Sequence, residues 1–412
     1  MPTERPYDIV LFGATGFTGQ LVAEYLARAG GHALRWALAG RNPDKLRVVR
    51  ARLTDAAAHC RELPLIEADV DDPASLQRLA RSARVVITTV GPYIRYGEGL
   101  VAACAEAGTD YVDLTGEPEF VDRMWLRYDA AARASGARIV HCCGFDSIPS
   151  DLGVAYVQQQ MQQRFGQHAV QVKTRVKAMK GTFSGGTVAS MLNAAQEVLG
   201  DPAVRKLMQN PYALCPKDKQ PRTRQPNVGG AVYEADLDAW AAPFVMAAIN
   251  TRVVHRSHAL NAQNWGQDFL YDEAMAMGRG LSGRMAALGL ALGLGAFFAG
   301  AVLPPTRWMM QKTFLPAPGE GPSPEEQKNG FWDYRLHARD KDGHTLTAKV
   351  TGDRDPGYGS TAKMLGEAAA CLAQDIDKKT VGGGFWTPAT ALGDALRERL
   401  VAHAGLSFET LN

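Results

Sequence analysis

The sequence predicts an α/β protein: a doubly wound, mostly parallel sheet at the N-terminus, then a second α+β domain with a largely antiparallel sheet. Three observations carry this reading. Apolar runs of strand length alternate with helical patterns over the first 150 residues, as parallel strands covered on both faces require. A glycine-rich turn joins the first strand to the first helix. Beyond Asp151 the rhythm changes to half-apolar strands and a hairpin signal.

Taken in order, Tyr7–Phe12 is the first strand and stops at Gly13. Leu21–Ala29 carries helical spacing through Leu21, Val22, Tyr25 and Leu26. Further strands are predicted at Leu34–Ala39, Leu63–Ala68, Ser82–Val90, Tyr111–Leu114 and Ala137–Cys142. In the second region Val170–Met179 alternates weakly, as a strand of another sheet does. Thr187–Leu199 reads as a helix entered from a turn at Gly185-Gly186, and Lys217–Gly230 as an exposed loop. Phe331–Ala338 and Thr345–Gly352 flank Asp342-Gly343, a pair that accepts positive φ and so closes a hairpin. Lys363–Ala373 and Ala389–His403 are closing helices, expected to return to the first domain. The predicted domains are therefore 1–150, 151–354 and a helical tail, 355–412.

With 412 residues, 46% hydrophobic and 21% charged, the chain can bury a sizeable core. A net charge of +2, with acids and bases interspersed, leaves no basic stripe to follow a phosphate backbone, which argues against nucleic acid and for a small-molecule partner. The six cysteines form no CxxC pair and no zinc-like spacing with histidine, so no metal is expected. Cys142-Cys143 reads as two small core hydrophobes, and His141 before them as a core residue. Unpaired cysteines suit a reducing cytoplasm. The stretch before the first strand, Met1 to Pro6, is short and polar and does not read as a signal peptide.

One stretch is unusual. Met285–Leu303 holds no charged or polar side chain and is flanked by Arg284 and Arg307. Its length is close to the roughly 20 residues that cross a bilayer as a helix. A true span would strand the tail on the side opposite the first domain. Two readings are therefore preferred: a buried core helix, or a hydrophobic hairpin dipping into one leaflet.

The chemistry begins at Gly13-Ala14-Thr15-Gly16-Phe17-Thr18-Gly19. Between a strand and a helix, this GxxGxxG run is a variant of the dinucleotide fingerprint, and it makes the first domain Rossmann-type. Gly13 allows the tight turn, Gly16 lets the backbone approach a pyrophosphate, and Gly19 lets the helix pack near the sheet. The second strand ends Ala39-Gly40-Arg41, with no acid to accept a ribose 2′-OH. Arg41 instead offers a planar cation to a 2′-phosphate, so the expected cofactor is NADP. Asp69 is placed either to approach the adenine or to cap the helix near Pro73. Val90-Gly91-Pro92, after the fourth strand, is placed beside the nicotinamide ribose.

Several stretches together resemble the saccharopine dehydrogenase-like oxidoreductases. They are Asp8–Gly19, Leu38-Ala-Gly-Arg41, Val90-Gly-Pro-Tyr93, Tyr111-Val-Asp-Leu-Thr-Gly-Glu117, Gly144-Phe-Asp-Ser-Ile-Pro-Ser-Asp151, Gly181–Thr187 and Asp355–Thr361. The resemblance covers nearly the whole chain and is strongest to the bacterial branch that includes trans-acting enoyl reductases. It implies an NADPH-dependent reductase of long-chain acyl or lipid-linked substrates in glycolipid biosynthesis, working with a polyketide or fatty-acid synthase. It further implies a cytoplasmic protein that touches the inner face of the plasma membrane, and a homodimer is among the expected partners. An enoyl reductase needs a proton donor as well as a hydride. Tyr93 and Tyr96 are the first candidates, because a phenol stays protonated at neutral pH, and Asp146 follows. Gly181–Thr187 and Asp355–Thr361 are expected to wall a substrate pocket. Saccharopine-type imine reduction, and an NADP-binding sensor or scaffold without turnover, are the alternatives.

Overall fold

A computed structural model describes residues 5–29, 34–181, 200–262, 264–302, 306 and 321–411. Among these the strands form two seven-stranded sheets, one in each of two compact units. The first unit is Met1–Ile148 with Gly357–Gly405, and the second is Pro149–Pro356 with Leu406–Asn412.

The first sheet is parallel throughout. Its strands are β1 (Tyr7–Phe12), β2 (Trp36–Gly40), β3 (Leu65–Glu67), β4 (Ala83–Thr88), β5 (Asp110–Val112), β6 (Arg138–Val140) and β13 (Gly384–Trp386), in the order β13-β6-β5-β4-β1-β2-β3. Helices α1 (Phe17–Ala29), α2 (Pro43–Ala56), α3 (Pro73–Ser82), α4 (Tyr93–Tyr96), α5 (Glu98–Ala107) and α6 (Pro118–Ser135) connect them. Successive strand residues point to opposite faces. Val10, Phe12 and Val86 join a core with Leu76 and Leu79 of α3, Val101 of α5 and Met124 of α6. Ile9, Leu11, Val85 and Ile87 are equally buried and face the other way. On that side α10 (Thr361–Gln374) packs on β1, β4 and β5, and against α1.

β13 escapes sequence reading because it is three residues long and begins on the last of three glycines, Gly382-Gly383-Gly384. The second closing helix breaks into Pro388–Ala391 and Gly393–His403, with Gly393 at φ +47°. Both closing helices lie in the first unit, within Gly357–Gly405, and only the residues after them leave it. The last strand, β14 (Leu406–Thr410), pairs with the second sheet, where Leu406 is buried and Phe408 meets Tyr156 edge-on.

The second sheet comprises β7 (Gln171–Lys180), β8 (Val232–Glu234), β9 (Ala239–Pro243), β10 (Leu270–Gly278), β11 (Phe331–Arg339), β12 (Thr345–Gly352) and β14, in the order β14-β12-β11-β7-β10-β9-β8. All neighbours are antiparallel except β7 and β10. The β11–β12 hairpin runs in register from Trp332 opposite Gly352 to Arg339 opposite Thr345, and Gly343 in its turn has φ +89°. Helix α7 (Ile148–Phe165) lies against this sheet, where Gly153 approaches Leu336 and Val350. Helix α8 (Ala247–Leu260) packs on β10. The predicted helix Thr187–Leu199 and its turn at Gly185-Gly186 lie outside the described residues.

The apolar segment requires a correction. It belongs to one helix, α9 (Gly280–Val302), and is neither a hairpin within that range nor a core helix. No residue from Leu288 to Gly300 is buried, and Leu292 is 72% exposed. Composition alone does not separate a helix that is apolar because it is inside the protein from one that is apolar outside it.

Candidate active site

The strand order reverses between β1 and β4, and in such a sheet the crevice at the carboxyl ends of these strands receives the ligand. Gly13 turns the chain there with φ +88°. A Cβ on Gly13 would stand 2.7 Å from Val90 Cγ2 and 2.8 Å from Thr89 Oγ1, so the loop after β4 closes directly on it. Thr89 Oγ1 donates to the Gly13 carbonyl at 3.2 Å. Gly13 and Ala14 donate their amides to Ala39 O, at 3.0 and 3.3 Å. A Cβ on Gly19 would fall 2.1 Å from the Gly13 carbonyl, so only glycine lets α1 start this close to β1. Gly16 is exposed, Gln20 Nε2 donates to Thr15 O at 3.1 Å, and the Phe17 ring meets Tyr358 edge-on at 5.2 Å. Thr18 lies in the first turn of α1, where amides lack intrahelical acceptors and attract phosphate.

At the tip of β2, Asn42 caps α2 by accepting from Lys45 N at 3.0 Å. Arg41 is the single residue between strand and cap, so its backbone is held at both sides. Its side chain is exposed and has no hydrogen bond or ion pair among the described residues. No acid stands at this tip, and the arrangement fits a 2′-phosphate. The capping role open to Asp69 belongs instead to Asp72, which accepts from Ala74 N at 3.0 Å. Asp69 forms a local turn, accepting from Asp71 N at 3.2 Å, and stays partly exposed after β3.

Val90-Gly91-Pro92 leads into α4, and the Gly91–Pro92 peptide is cis. Glu117 grips this loop from below: its two carboxylate oxygens accept from Tyr93 N at 3.0 Å and Ile94 N at 2.7 Å. Tyr93 itself is buried beneath the loop, and its hydroxyl donates to Thr88 O at 3.0 Å. Burial, then the charges of Asp113, Glu117 and Asp146, hold its phenol well above the ordinary tyrosine range. Tyr96, at the other end of α4, is 42% exposed. Asp113 is saturated, accepting from Tyr111 OH, Thr115 N and Cys142 N, with His141 Nδ1 at 2.6 Å. A carboxylate partner fixes the His141 proton on Nδ1. These contacts lock the ends of β5 and β6 together.

Asp146 follows β6, two strands or roughly 10 Å along the sheet from β4. It stands at the apex of a tight turn in which Ser147 N donates to Phe145 O at 2.8 Å. Ser147 has φ 103° and Cys142 has φ 62°, conformations L residues seldom adopt and ones found where a site dictates the backbone. The turn is pinned by Phe145 N donating to Thr361 Oγ1 at 3.0 Å, which joins two of the singled-out stretches, Gly144–Asp151 and Asp355–Thr361. Asp146 keeps part of its surface exposed, but the protein around its carboxyl raises it to about 7.

The predicted cofactor residues thus gather at the carboxyl ends of β1 to β4, and Asp146 lies farther along the same sheet edge. Of the pocket walls expected from the sequence, 182–187 lie outside the described residues. Glu117 as the loop's anchor was not a predicted site residue. Two acids in the apolar stretch Tyr111–Glu117 were the available signal, because a buried carboxylate must find donors.

Residues 9–140 match the family described as "Saccharopine dehydrogenase NADP binding domain". A Mycobacterium tuberculosis protein provisionally named a trans-acting enoyl reductase is 42% identical over 99% of this chain and 98% of its own length. The trans-acting enoyl reductase of Mycobacterium bovis is 39% identical over 97% of this chain and 96% of its own. In structure, the chain is similar to the L-Glu-forming saccharopine dehydrogenase of Saccharomyces cerevisiae, with TM-score 0.54 and 15% identity over 98% of this chain and 100% of that one. That likeness shows a shared fold. Matched along nearly its whole length by these relatives, and over residues 9–140 by an NADP-binding domain, the chain belongs to the trans-acting enoyl reductase family and is an NADP-dependent oxidoreductase.

Proposed function

We propose that the protein reduces the carbon–carbon double bond of an unsaturated acyl thioester, on a long-chain or lipid-linked substrate, with Asp146 as proton donor. The observation carrying this reading is a carboxyl raised to about 7 on the sheet edge that holds the cofactor loops. NADPH, when bound, supplies the hydride for the β-carbon. Asp146 gives its proton to the α-carbon and recovers one from water through its exposed side. Of the three expected donors, Tyr93 has its hydroxyl committed to Thr88 O and serves as a support for the loop. Tyr96, exposed on α4, is the remaining candidate for contact with the thioester oxygen.

Imine reduction of the saccharopine kind needs cations to hold several substrate carboxylates. Arg175, buried in the second sheet, is matched by Glu234 at 2.6 Å and Asp272 at 2.8 Å, and has no net charge left to offer. The test is NADPH oxidation, with NADH in parallel, against long-chain enoyl thioesters and against amino-acid/keto-acid pairs. Turnover of enoyl thioesters with NADPH is expected. Turnover only of the amino-acid pairs would overturn this reading, and tight NADPH binding with neither activity would move the protein to sensing. An acyl chain held on a polyketide or fatty-acid synthase carrier is the substrate form to add, since the proposed partner presents it that way.

A further inference from the structure

We propose that α9 is a lipid-inserting wedge that enters one leaflet of a membrane and returns to the same side. From Leu288 to Gly300 no residue is buried, a length of about 20 Å at helical rise. That exceeds half of the roughly 30 Å hydrocarbon core of a bilayer. The helix is apolar all round, with no polar side chain between Met285 and Leu303: Leu288 and Leu292 are exposed on one face and Phe298 about a third of a turn away, while Leu290, Ala291, Leu294 and Phe297 on the remaining side are partly exposed. A protein groove or a second copy of the chain covers one stripe of a helix and leaves the opposite stripe wet, where a polar face is favoured. Lipid covers the whole circumference.

The base of the helix carries the side chains that suit a headgroup layer. Arg284 lies over the Trp240 ring at 5.7 Å, and Trp240 packs with Tyr233, which is 48% exposed. Arg279 pairs with Asp238 at 3.2 Å, and Asp238 accepts from Tyr233 OH at 2.7 Å. Aromatic rings and arginines collect at membrane interfaces because each has an apolar body and a polar tip. The sheet fixes the topology. Strand β10 precedes α9 and β11 follows it, and both pair with β7. The chain therefore leaves and rejoins one sheet, which a bilayer-crossing helix with its two flanks on opposite sides does not allow.

The experiment floats the full chain with vesicles of phosphatidylcholine and phosphatidylglycerol in equal parts, beside a variant carrying Leu292→Asp and Phe298→Asp. The unmodified chain is expected to float, and the variant to partition at least tenfold less while its circular dichroism melt is unchanged. An unmodified chain that stays in the aqueous phase overturns the proposal, as do two chains that float alike. Light scattering supplies the other decisive outcome. A dimer that becomes monomeric in the variant, with neither chain floating, assigns the helix to a second copy and also overturns it.

Discussion

In the function proposed above, two side chains divide the work of cofactor choice and proton supply. Arg41 stands exposed at the tip of β2, unpaired among the described residues, and a charge-assisted hydrogen bond to a phosphate contributes about 1.5–3 kcal/mol. Arg41→Ala is therefore expected to raise KM for NADPH roughly 10- to 100-fold and leave KM for NADH nearly unchanged. Steady-state kinetics with both cofactors check this, and an equal loss for the two would place the 2′-phosphate elsewhere. Asp146 predicts a pH signature. A donor must be protonated, so kcat is expected to fall as pH rises through about 7. Asp146→Asn is expected to lower kcat by roughly 10²–10⁴ and remove that limb of the profile. Survival of the limb in the variant would give the proton to another group. The place of Arg41, at the end of the second strand, was legible in the sequence because it depends on neighbours in the chain. The Glu117 grip on Tyr93 was not, since the partners are 24 residues apart and meet only in the fold.

At the scale of elements, α8 carries a liability that the sequence does not announce. Nearly its whole length is buried, including His255 and His258. His255 meets the Tyr212 ring edge-on at 4.9 Å, and His258 stacks on Trp265 at 5.3 Å. Burial holds His255 down at about 3, helped by the charges of His258 and Arg252, and holds His258 at about 4, helped by His168. Unfolded histidine titrates near 6.5. Between the folded values and 6.5 the unfolded state binds more protons, so stability rises with pH there and is lost on acidification below 6.5. The slope is about 1.4 kcal/mol per pH unit for each ring. Urea unfolding at descending pH is expected to show this loss, with His258→Phe, which keeps a ring on Trp265, removing its share. An unchanged slope in that variant would refute the assignment. The glycine turn between β1 and α1 and the β11–β12 hairpin could be read beforehand, because local backbone demands fix which residues they use. The burial of α8 and the exposure of α9 could not be, since each depends on what the sheet beside it leaves open.

For the whole molecule, the chain order conceals how the first unit is completed. Its sheet is built from residues up to 148, yet α10 and β13 come from beyond residue 357. α10 covers the face of β1, β4 and β5 that carries Ile9, Leu11, Val85 and Ile87. β13 covers the edge of β6, with Gly384, Phe385 and Trp386 paired to Arg138, Ile139 and Val140. Arg138 ties the two pieces further, donating to Ile376 O at 2.8 Å and Leu372 O at 2.9 Å while paired with Asp110. A fragment of residues 1–148 would expose those four apolar side chains, each contributing roughly 1.5–3 kcal/mol when buried. It would also leave the Asp110–Arg138 pair without part of its hydrogen bonding. The four side chains together come to about 6–12 kcal/mol, as much as the roughly 5–15 kcal/mol by which a domain is stable at all, so that fragment is expected not to fold. Joining residues 1–148 to 357–405 through a flexible glycine–serine linker restores every one of these contacts. The joined chain is expected to melt cooperatively and bind NADPH, with a Tm that rises as the nucleotide is added. A fragment of 1–148 that folds and binds NADPH alone would show that the C-terminal helix is an accessory to the nucleotide domain. Failure of the joined chain would mean the second unit holds the first in shape.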